Sequence, residues 1–331
     1  MNNFWQKLKI ECGREKRPIL ALAPMAGVTD SAFRQMCKEF GADVVYSEMA
    51  SVNALAYAPQ KTLEMLSFEE SERPYIIQLF GSDPKFFQTA VQFLIDEKIE
   101  NKKNGLNFFP NGFDINFGCP VPKVAKQKAG AELAKDLKKS RKVIEAVVKS
   151  SNIPVSIKIR KKAGEIDALR FLDNISDLNV AAVMIHGREL KQMHSGPVDA
   201  SIIKNARNYF GGIILANGGV KDYESGTRLW LESEADGIGI GQGALGRPWI
   251  FEEIKNHTLQ RKNDNEKLSI ALRHARLAHR LKSDQGVIEM RKHLCWYIQG
   301  MSGARQVREE FVRVEKIEDI ERIIHQINDK N

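Results

Sequence analysis

The feature that most constrains the fold is a series of eight short apolar segments before residue 244. Each is a few residues long, rich in Val and Ile, and mostly without polar alternation, which is typical of strands buried on both faces. The segments are ILALAP from Ile19, ADVVYSEM from Ala42, PYIIQLFG from Pro74, GFDINFG from Gly112, PVSIKIR from Pro154, AAVMIHG from Ala181, GIILANGG from Gly212 and DGIGIGQG from Asp236.

Amphipathic segments between these strands predict helices over Ser31–Gly41, Ser82–Glu97, Ser140–Ser150 and Asp167–Leu178. Eight strands alternating with helices predict an α/β fold of the (β/α)8 TIM-barrel class, whose usual size is about 250 residues. A doubly wound open sheet is the alternative. That fold favours a GxGxxG turn after the first strand, and the APMAGVTD segment found there is not one.

The pattern changes after Trp249, and from about Glu252 onward no further strand-like segment occurs. We therefore predict a barrel over residues 1–251 and a small all-helical C-terminal domain over residues 252–331. In the segment KLSIALRHARLAHRLK, Ile270, Leu277 and Leu281 share one helical face, and an adjacent face is basic. Between residues 267 and 313 there are ten Lys or Arg residues against four Asp or Glu, so this domain has one basic side.

Charge and cysteine usage narrow the function class. A net charge of +8 with a pI of about 9.2 suits a polyanionic partner without identifying one. The four cysteines are widely spaced and form no CxxC pair, so we expect no metal site and no disulfide framework. The N-terminus has no signal-peptide core, and no run of eighteen apolar residues exists. We expect a cytoplasmic protein without membrane association, and a monomer.

In a (β/α)8 barrel the active site lies at the carboxyl ends of the strands. The last two strands end in the glycine-rich turns ANGGV and GQGALGRP, where barrels commonly bind a phosphate through backbone N–H groups. Lys158 of the fifth strand would point into the barrel mouth, where a buried lysine needs an anionic or electron-rich partner such as a reduced flavin. Together these features predict a phosphorylated ring cofactor across the strand ends.

Cys119 follows the fourth strand at the same mouth. A free cysteine is most often a small buried hydrophobe, which suits Cys37 and Cys295 within their helical stripes. That interpretation suits Cys119 less well, because a Gly–Cys–Pro sequence indicates a rigid loop. A thiol beside a flavin can deliver a proton to carbon while the flavin delivers hydride, which is general acid catalysis.

Several motifs, in order and spacing, resemble one known family. They are LAPMAGVTDSAFR, DINFGCPVPKV, SIKIR, MIHGRE, ANGGV and GQGALGRPWIF, with RKHLCWYIQGMSGA in the helical domain. The chain resembles the flavin-dependent tRNA-dihydrouridine synthases, particularly the bacterial B-type. The resemblance covers most of the chain, and the cysteine motif together with the PMAGVTD opening is highly specific.

The resemblance implies an FMN-bearing barrel whose flavin is reduced by NADPH (or NADH). A uridine swung out of folded tRNA would receive hydride from flavin N5 at uracil C6 and a proton from Cys119 at C5. By match to the motifs, Asn116 and Arg188 would contact the uracil. The residues that would hold the FMN ring, ribityl chain and phosphate are Pro24, Met25, Ala26, Gln78, Lys158, His186, Asn217, Gly218, Gly219, Gly241 and Gln242.

The resemblance also implies that the helical domain binds RNA. Its basic residues that we expect to contact the RNA backbone are Arg273, Arg276, Arg280, Lys282, Arg291, Lys292 and Arg305.

The chain departs from the family pattern at three positions. Gly219 stands where relatives usually carry Asp, and Gln242 stands where they usually carry Arg, so a charge partner of the phosphate is missing. His194 replaces a Tyr or Phe that would stack on the uracil. The loop around Asn107, before the fourth strand, is also longer than usual. These departures affect cofactor affinity and the choice of target more than the reaction class.

Three alternatives to a tRNA-modifying enzyme stay open. The same reaction could act on ribosomal RNA. An FMN barrel could reduce a free small molecule, in the manner of dihydroorotate dehydrogenases, although this leaves the basic helical domain unexplained. The chain could also be a non-catalytic RNA-binding protein that retains the fold. The altered phosphate site is the observation that favours this alternative.

Overall fold

A closed ring of eight parallel strands forms the centre of the protein. The structure is a computed structural model, and it describes residues 3–96 and 109–328. The strands are β1 (Ile19–Leu22), β2 (Val44–Ser51), β3 (Tyr75–Phe80), β4 (Gly112–Asn116), β5 (Val155–Ala163), β6 (Ile166–Asp167), β7 (Ala182–Glu189), β8 (Ile213–Asn217) and β9 (Gly237–Ile240). Each of the eight predicted segments contributes one barrel strand, and β6 is a two-residue antiparallel addition to β5. Pairing of β1 with β9 and of β4 with β5 closes the ring, which confirms the predicted TIM barrel.

Helices alternate with the barrel strands, and three more helices follow them. They are α1 (Phe4–Arg14), α2 (Ser31–Glu39), α3 (Val52–Tyr57), α4 (Gln60–Leu66), α5 (Pro84–Asp96), α6 (Pro122–Ala125), α7 (Leu137–Ser150), α8 (Ala168–Asp173), α9 (Ala200–Asn205), α10 (Tyr223–Ser233), α11 (Ile250–Lys255), α12 (Asp264–Tyr297), α13 (Ala304–Phe311) and α14 (Ile317–Asn328). Residue 97 of the second predicted helix, and residues 104–108 of the loop predicted before the fourth strand, lie outside the described residues.

Helix α8 is shorter than predicted, because it ends at Asp173 rather than Leu178. Its start is defined by Asp167, whose side chain accepts a hydrogen bond from the backbone N–H of Arg170. Beyond Asp173 the backbone N–H groups of Ile175 and Leu178 bond three residues back rather than four, so tight turns replace the helix.

Alternate residues of the strands face two different apolar layers, as the period of two requires. Ile19, Ala21, Val44 and Tyr46 pack inside the barrel, and Trp5 of α1 joins this inner cluster. The intervening side chains, such as Leu20 and Leu22, pack outward against the surrounding helices. The interior is therefore filled with side chains, and chemistry is confined to the strand ends.

Helices α12–α14 form a separate apolar cluster. It contains Ile270 and Phe311, and it includes Ala32 and Met36 of α2. Leu277 and Leu281 pack against it, as the helical stripe predicts. Helix α12 is kinked at Ser283, whose φ of 52° is not helical. The helical region is thus seated on the outside of the barrel against α2, the helix that follows β1. Within residues 3–96 and 109–328, no helix has both the length and the apolar character needed to cross a membrane.

Candidate functional site

The carboxyl ends of the barrel strands surround a cavity of about 1060 Å³, large enough for a nucleotide-sized ligand. All of the residues predicted for catalysis, the cofactor and the uracil line it. They are Pro24, Met25, Ala26, Gln78, Asn116, Cys119, Lys158, His186, Arg188, His194, Asn217, Gly218, Gly219, Gly241 and Gln242. Residues that are up to 218 positions apart in the chain therefore meet at one mouth, because parallel strands end at the same side of the barrel.

The loop that carries Cys119 is held by side chains on two strands. Oδ1 of Asn116, the last residue of β4, accepts hydrogen bonds from the backbone N–H groups of Gly118 (3.1 Å) and Cys119 (2.9 Å). From β5, Nε of Arg160 donates to the carbonyl oxygen of Gly118 at 2.9 Å. Partial burial raises the pKa of the Cys119 thiol. The sulfur therefore keeps its proton at neutral pH, as a proton donor requires.

Lys158 lies on β5 directly beside Asn116, its register partner on β4. Its ammonium group donates to Oδ1 of Asn217 at 3.1 Å, and Nδ2 of Asn217 donates to the carbonyl oxygen of Gly239 at 2.7 Å. Burial, reinforced by the neighbouring Arg160, lowers the pKa of Lys158 to about 8. A cation held this way favours an electron-rich partner in the cavity.

Three further side chains of the mouth come from β7 and the loop after it. Nη1 of Arg188 lies 3.4 Å from Nε2 of His186, and Nε of Arg188 donates to the carbonyl oxygen of Gly196 at 2.9 Å. Burial and the charges of nearby lysine and arginine side chains lower the pKa of His186 far below its usual value, so its ring is neutral. The exposed His194 ring lies with its centroid 6.1 Å from that of His186 and at an interplanar angle of 29°.

Two glycine turns complete the wall after β8 and β9. Gly218 and Gly219 have φ values of 111° and 72°, which favour glycine strongly. A Cβ at Gly218 would lie 2.7 Å from Cδ2 of His186, so a side chain there would collide with the ring. Gln242 begins a single 3₁₀ turn, and its side chain is exposed. The turns form a backbone cradle of the kind that accepts a phosphate.

The loop after β1 is fixed from both sides at Gly27. Its N–H donates to the carboxylate of Glu48 on β2, and its carbonyl oxygen accepts from Nζ of Lys292 on α12. Nearby, Nζ of Lys282 forms an ion pair at 2.8 Å with Asp30, the N-cap of α2. The helical region thus contacts the loop that carries Met25 into the cavity.

None of the seven basic residues predicted to contact RNA lines the cavity, and only Lys282 and Lys292 contact the loop beside it. Several form ion pairs within the protein. Arg273 pairs with Glu39 and Arg280 with Glu69 at 2.8 Å, both on the barrel side. Arg276 pairs at 2.8 Å with Glu321 of α14.

Arg291 and Arg305 complete the seven predicted residues, and they make weaker or neutral contacts. Nε of Arg291 donates to the carbonyl oxygen of Val314 at 2.9 Å. Arg305 is 95% exposed and lies 3.9 Å from Glu309. The exposed ion pairs of Arg273, Arg276, Arg280 and Arg305 contribute little stability, so these arginines keep the ability to contact a phosphate.

Several residues of the cavity wall were not predicted from the sequence. Arg160 lies two positions after Lys158, and the period of two in SIKIR could have placed both on the same face of β5. Toward the helical region the wall also contains a group of cations that no periodic pattern marks, namely Lys221, Arg247, Arg261, Lys262 and Lys267.

Comparison with known proteins identifies the family of the chain. A family model described as dihydrouridine synthase (Dus) matches residues 21–330. The tRNA-dihydrouridine synthase B of Pseudomonas syringae pv. tomato is 32% identical over 307 residues, covering 90% of this chain and 88% of that protein. The probable tRNA-dihydrouridine synthase of Aquifex aeolicus is 30% identical over 321 residues, covering 95% and 98% of the two chains.

A solved structure, that of histamine dehydrogenase from Rhizobium sp. 4-9, matches with a TM-score of 0.51 at 10% sequence identity. The match covers 78% of this chain and 49% of that one, so this chain spans about half the length of that protein, and the likeness shows the fold alone. The family match extends over almost the whole chain and includes every residue of the cavity wall. This chain belongs to the dihydrouridine synthase family.

Proposed function

We propose that the protein is an FMN-dependent, NADPH-driven tRNA-dihydrouridine synthase that reduces the C5–C6 double bond of specific uridines. The observation that carries this proposal is the meeting, in one cavity, of a protonated thiol on Cys119 with a buried cation on Lys158 and a neutral ring on His186. The relatives named tRNA-dihydrouridine synthase support RNA as the substrate.

The residues of the wall suit a phosphorylated flavin. Gly218, Gly219, Gly241 and Gln242 would hold its phosphate. Gly218 and Gly219 have positive φ angles, and the three glycines have no side chain, so backbone N–H groups there stay accessible. The other candidate residues would contact the ring and ribityl chain, namely Pro24, Met25, Ala26, Gln78, Lys158, His186 and Asn217. When bound and reduced, FMN would supply hydride to uracil C6.

On the substrate, Cys119 would donate its proton to C5 from the face opposite the flavin, since its raised pKa keeps that proton available. Asn116 and Arg188 would bind the polar edge of the uracil. The exposed His194 ring would stack on the base. The chain thus provides an acid, an orienting pair and a stacking surface around one position.

RNA outside the reacting nucleotide would contact the basic residues of α12 and α13, listed above for the predicted RNA backbone contacts. Phosphate contacts there would orient the tRNA and give salt-dependent affinity. We place such a monomeric tRNA-modifying enzyme in the cytoplasm, where it would meet its substrate.

The decisive experiment incubates the purified protein with FMN, NADPH and unmodified tRNA, and measures dihydrouridine by mass spectrometry of digested RNA. We expect product with tRNA, none with Cys119→Ala at matched time, and FMN as the flavin released by denaturation. Formation of dihydrouridine in ribosomal RNA but not in tRNA would mean that ribosomal RNA is the substrate. Turnover of free uridine but not RNA would indicate a small-molecule reductase. A protein that binds RNA but no flavin would contradict the proposal.

A further inference from the structure

A buried carboxylate lies beneath the cavity and contacts its wall without being part of it. Asp114 of β4 is fully buried, and it does not line the cavity. Its carboxylate accepts hydrogen bonds from Nε2 of Gln78 on β3 at 2.7 Å and from Oγ of Ser156 on β5 at 2.6 Å. The three residues are register partners across three neighbouring strands. Burial raises the pKa of Asp114 to about 6, against the effect of these two hydrogen bonds.

Gln78 links this carboxylate to the residue that holds the Cys119 loop. Oε1 of Gln78 accepts a hydrogen bond from Nδ2 of Asn116 at 2.9 Å. Oδ1 of Asn116 in turn accepts from the backbone N–H of Cys119 at 2.9 Å. A continuous chain of hydrogen bonds therefore runs from Asp114 to the backbone of Cys119.

The two ends of this chain determine its direction. An ionised carboxylate only accepts hydrogen bonds and a backbone N–H only donates, whereas each amide between them could be turned either way. With Asp114 at one end, Gln78 must present Nε2 to it and Oε1 to Asn116. Asn116 must then present Nδ2 to Gln78 and keep Oδ1 for Cys119. Without Asp114, only the backbone end specifies the direction, and a buried amide N–H is left without its acceptor.

We propose that Asp114 is a positioning residue that acts through Gln78 and Asn116 to hold the backbone of Cys119, and with it the thiol, in one orientation. Its effect on turnover rests on the proposed function, whereas its effect on the Cys119 backbone does not. Gln78 and Asn116 also line the cavity, so the same chain sets which of their polar atoms are left to face a ligand.

Ser156 offers a matched control. It donates to the same carboxylate but is not a link toward Cys119, and its hydroxyl also lies 3.3 Å from the carbonyl oxygen of Phe113, which gives it a second acceptor. Asp114→Asn should preserve the chain of hydrogen bonds, because the amide oxygen of Asn still accepts from Nε2 of Gln78. The hydroxyl of Ser156 can then donate to the carbonyl oxygen of Phe113 instead. Asp114→Val removes the acceptor at similar volume.

The test measures amide hydrogen exchange at Gly118 and Cys119 by NMR, in wild type and the three variants, with strand β8 as the internal reference. We expect Asp114→Val to lose about tenfold or more protection at these two amides, with β8 unchanged, and Asp114→Asn and Ser156→Ala to stay within about threefold of wild type. With tRNA, Asp114→Val should lower kcat by about 10- to 100-fold with little change in KM, the size expected of a misplaced catalytic group.

Should Asp114→Val fail to fold, Gln78→Met breaks the chain at its next link and should expose the same two amides while Asp114 stays in place. Full protection of Cys119 in Asp114→Val would overturn the proposal, as would an equal loss of protection in Ser156→Ala. Loss of protection in a protein whose wild type forms no dihydrouridine would support the positioning role and reject the proposed function separately.

Discussion

The ammonium group of Lys158 donates a hydrogen bond to Oδ1 of Asn217 at 3.1 Å, so a side chain of β5 reaches over β7 to one of β8. The contact places a cation in the wall of the cavity, with a neutral amide as its hydrogen-bond partner. Burial of the charge costs free energy and Arg160 repels it, and the attraction to the buried Asp114 offsets this only in part, so the pKa of Lys158 is lowered to about 8. The site is therefore arranged for a ligand that supplies electron density.

Lys158→Met should change how the stability of the flavin-free protein depends on pH. The folded-state pKa of Lys158 is about 8 against an ordinary 10.5, so between these values the unfolded chain binds more protons at this position. Wild type should gain stability relative to the variant as pH rises through this window, by up to roughly 3 kcal/mol. Urea unfolding of both proteins at a series of pH values measures the difference.

The control for this experiment is Lys162→Met, on the same strand but with an exposed ammonium group. Its stability should run parallel to wild type across the same pH range. Lys158→Met should also weaken FMN binding, as measured by flavin retained through gel filtration. Parallel stability curves for Lys158→Met and wild type would contradict a lowered pKa.

Cys119→Ala should bind FMN and RNA normally and turn over poorly. Removing a positioned general acid costs about 10²- to 10⁴-fold in rate. Cys295→Ala is the matched control, since this half-buried thiol lies on α12 and does not line the cavity. Single-turnover formation of dihydrouridine measures both. Near-full activity of Cys119→Ala would mean that another group donates the proton.

Much of the fold could be predicted from local pattern, because strands buried on both faces have a distinctive sequence. The strand ends then located the cavity residues, since the barrel topology brings them to one side. The contacts of Arg273 and Arg280 could not be predicted in this way. Their partners, Glu39 and Glu69, lie more than 200 residues earlier, and the pairing depends on how α12 docks against the barrel.

The hydrogen bonds that link Asp114 to the backbone of Cys119 could not be predicted from the sequence either. The alternation in DIN places Asp114 and Asn116 on the same face of β4, but the link between them passes through Gln78 of another strand. Which amide atom faces which neighbour depends on strand register, and a single sequence does not specify register between distant strands.

Gln242→Arg should strengthen FMN retention. The exposed Gln242 lies in the turn proposed to hold the phosphate, and a cation there would add a charge-assisted hydrogen bond worth roughly 1 kcal/mol. Gln326→Arg, an exposed position on α14, adds the same charge away from the cavity and should leave retention unchanged. Flavin absorbance per protein after dialysis measures both. Unchanged or weaker retention in Gln242→Arg would mean that another residue supplies the charge.

His194 should contribute by stacking on the base. The ring is exposed at the mouth, with its centroid 6.1 Å from that of His186. His194→Tyr should be tolerated, and His194→Ala should raise KM for RNA, because base–aromatic stacking is worth about 1–3 kcal/mol. FMN content should not change in either variant. An inactive Tyr variant beside an unaffected Ala variant would mean that the site is crowded and the imidazole unused.

Replacement of Arg273, Arg276 and Arg280 together by Ala should weaken RNA binding. If they contact phosphates, each lost contact should flatten the log–log dependence of affinity on salt by somewhat under one unit. FMN content and NADPH oxidation without RNA should stay unchanged, because none of the three residues lines the cavity. Filter binding of tRNA across a salt series measures affinity and slope.

The ion pairs of these arginines supply the matched control. Arg273 and Arg280 are held by Glu39 and Glu69 of the barrel, so the triple replacement also removes contacts that seat α12 on it. Glu39→Gln with Glu69→Gln removes the same ion pairs but leaves the arginines charged. If they contact RNA, this double variant should bind tRNA more tightly than wild type, with an equal or steeper salt slope. If both variants weaken binding equally, the arginines act through docking of α12, and the phosphates must be contacted elsewhere.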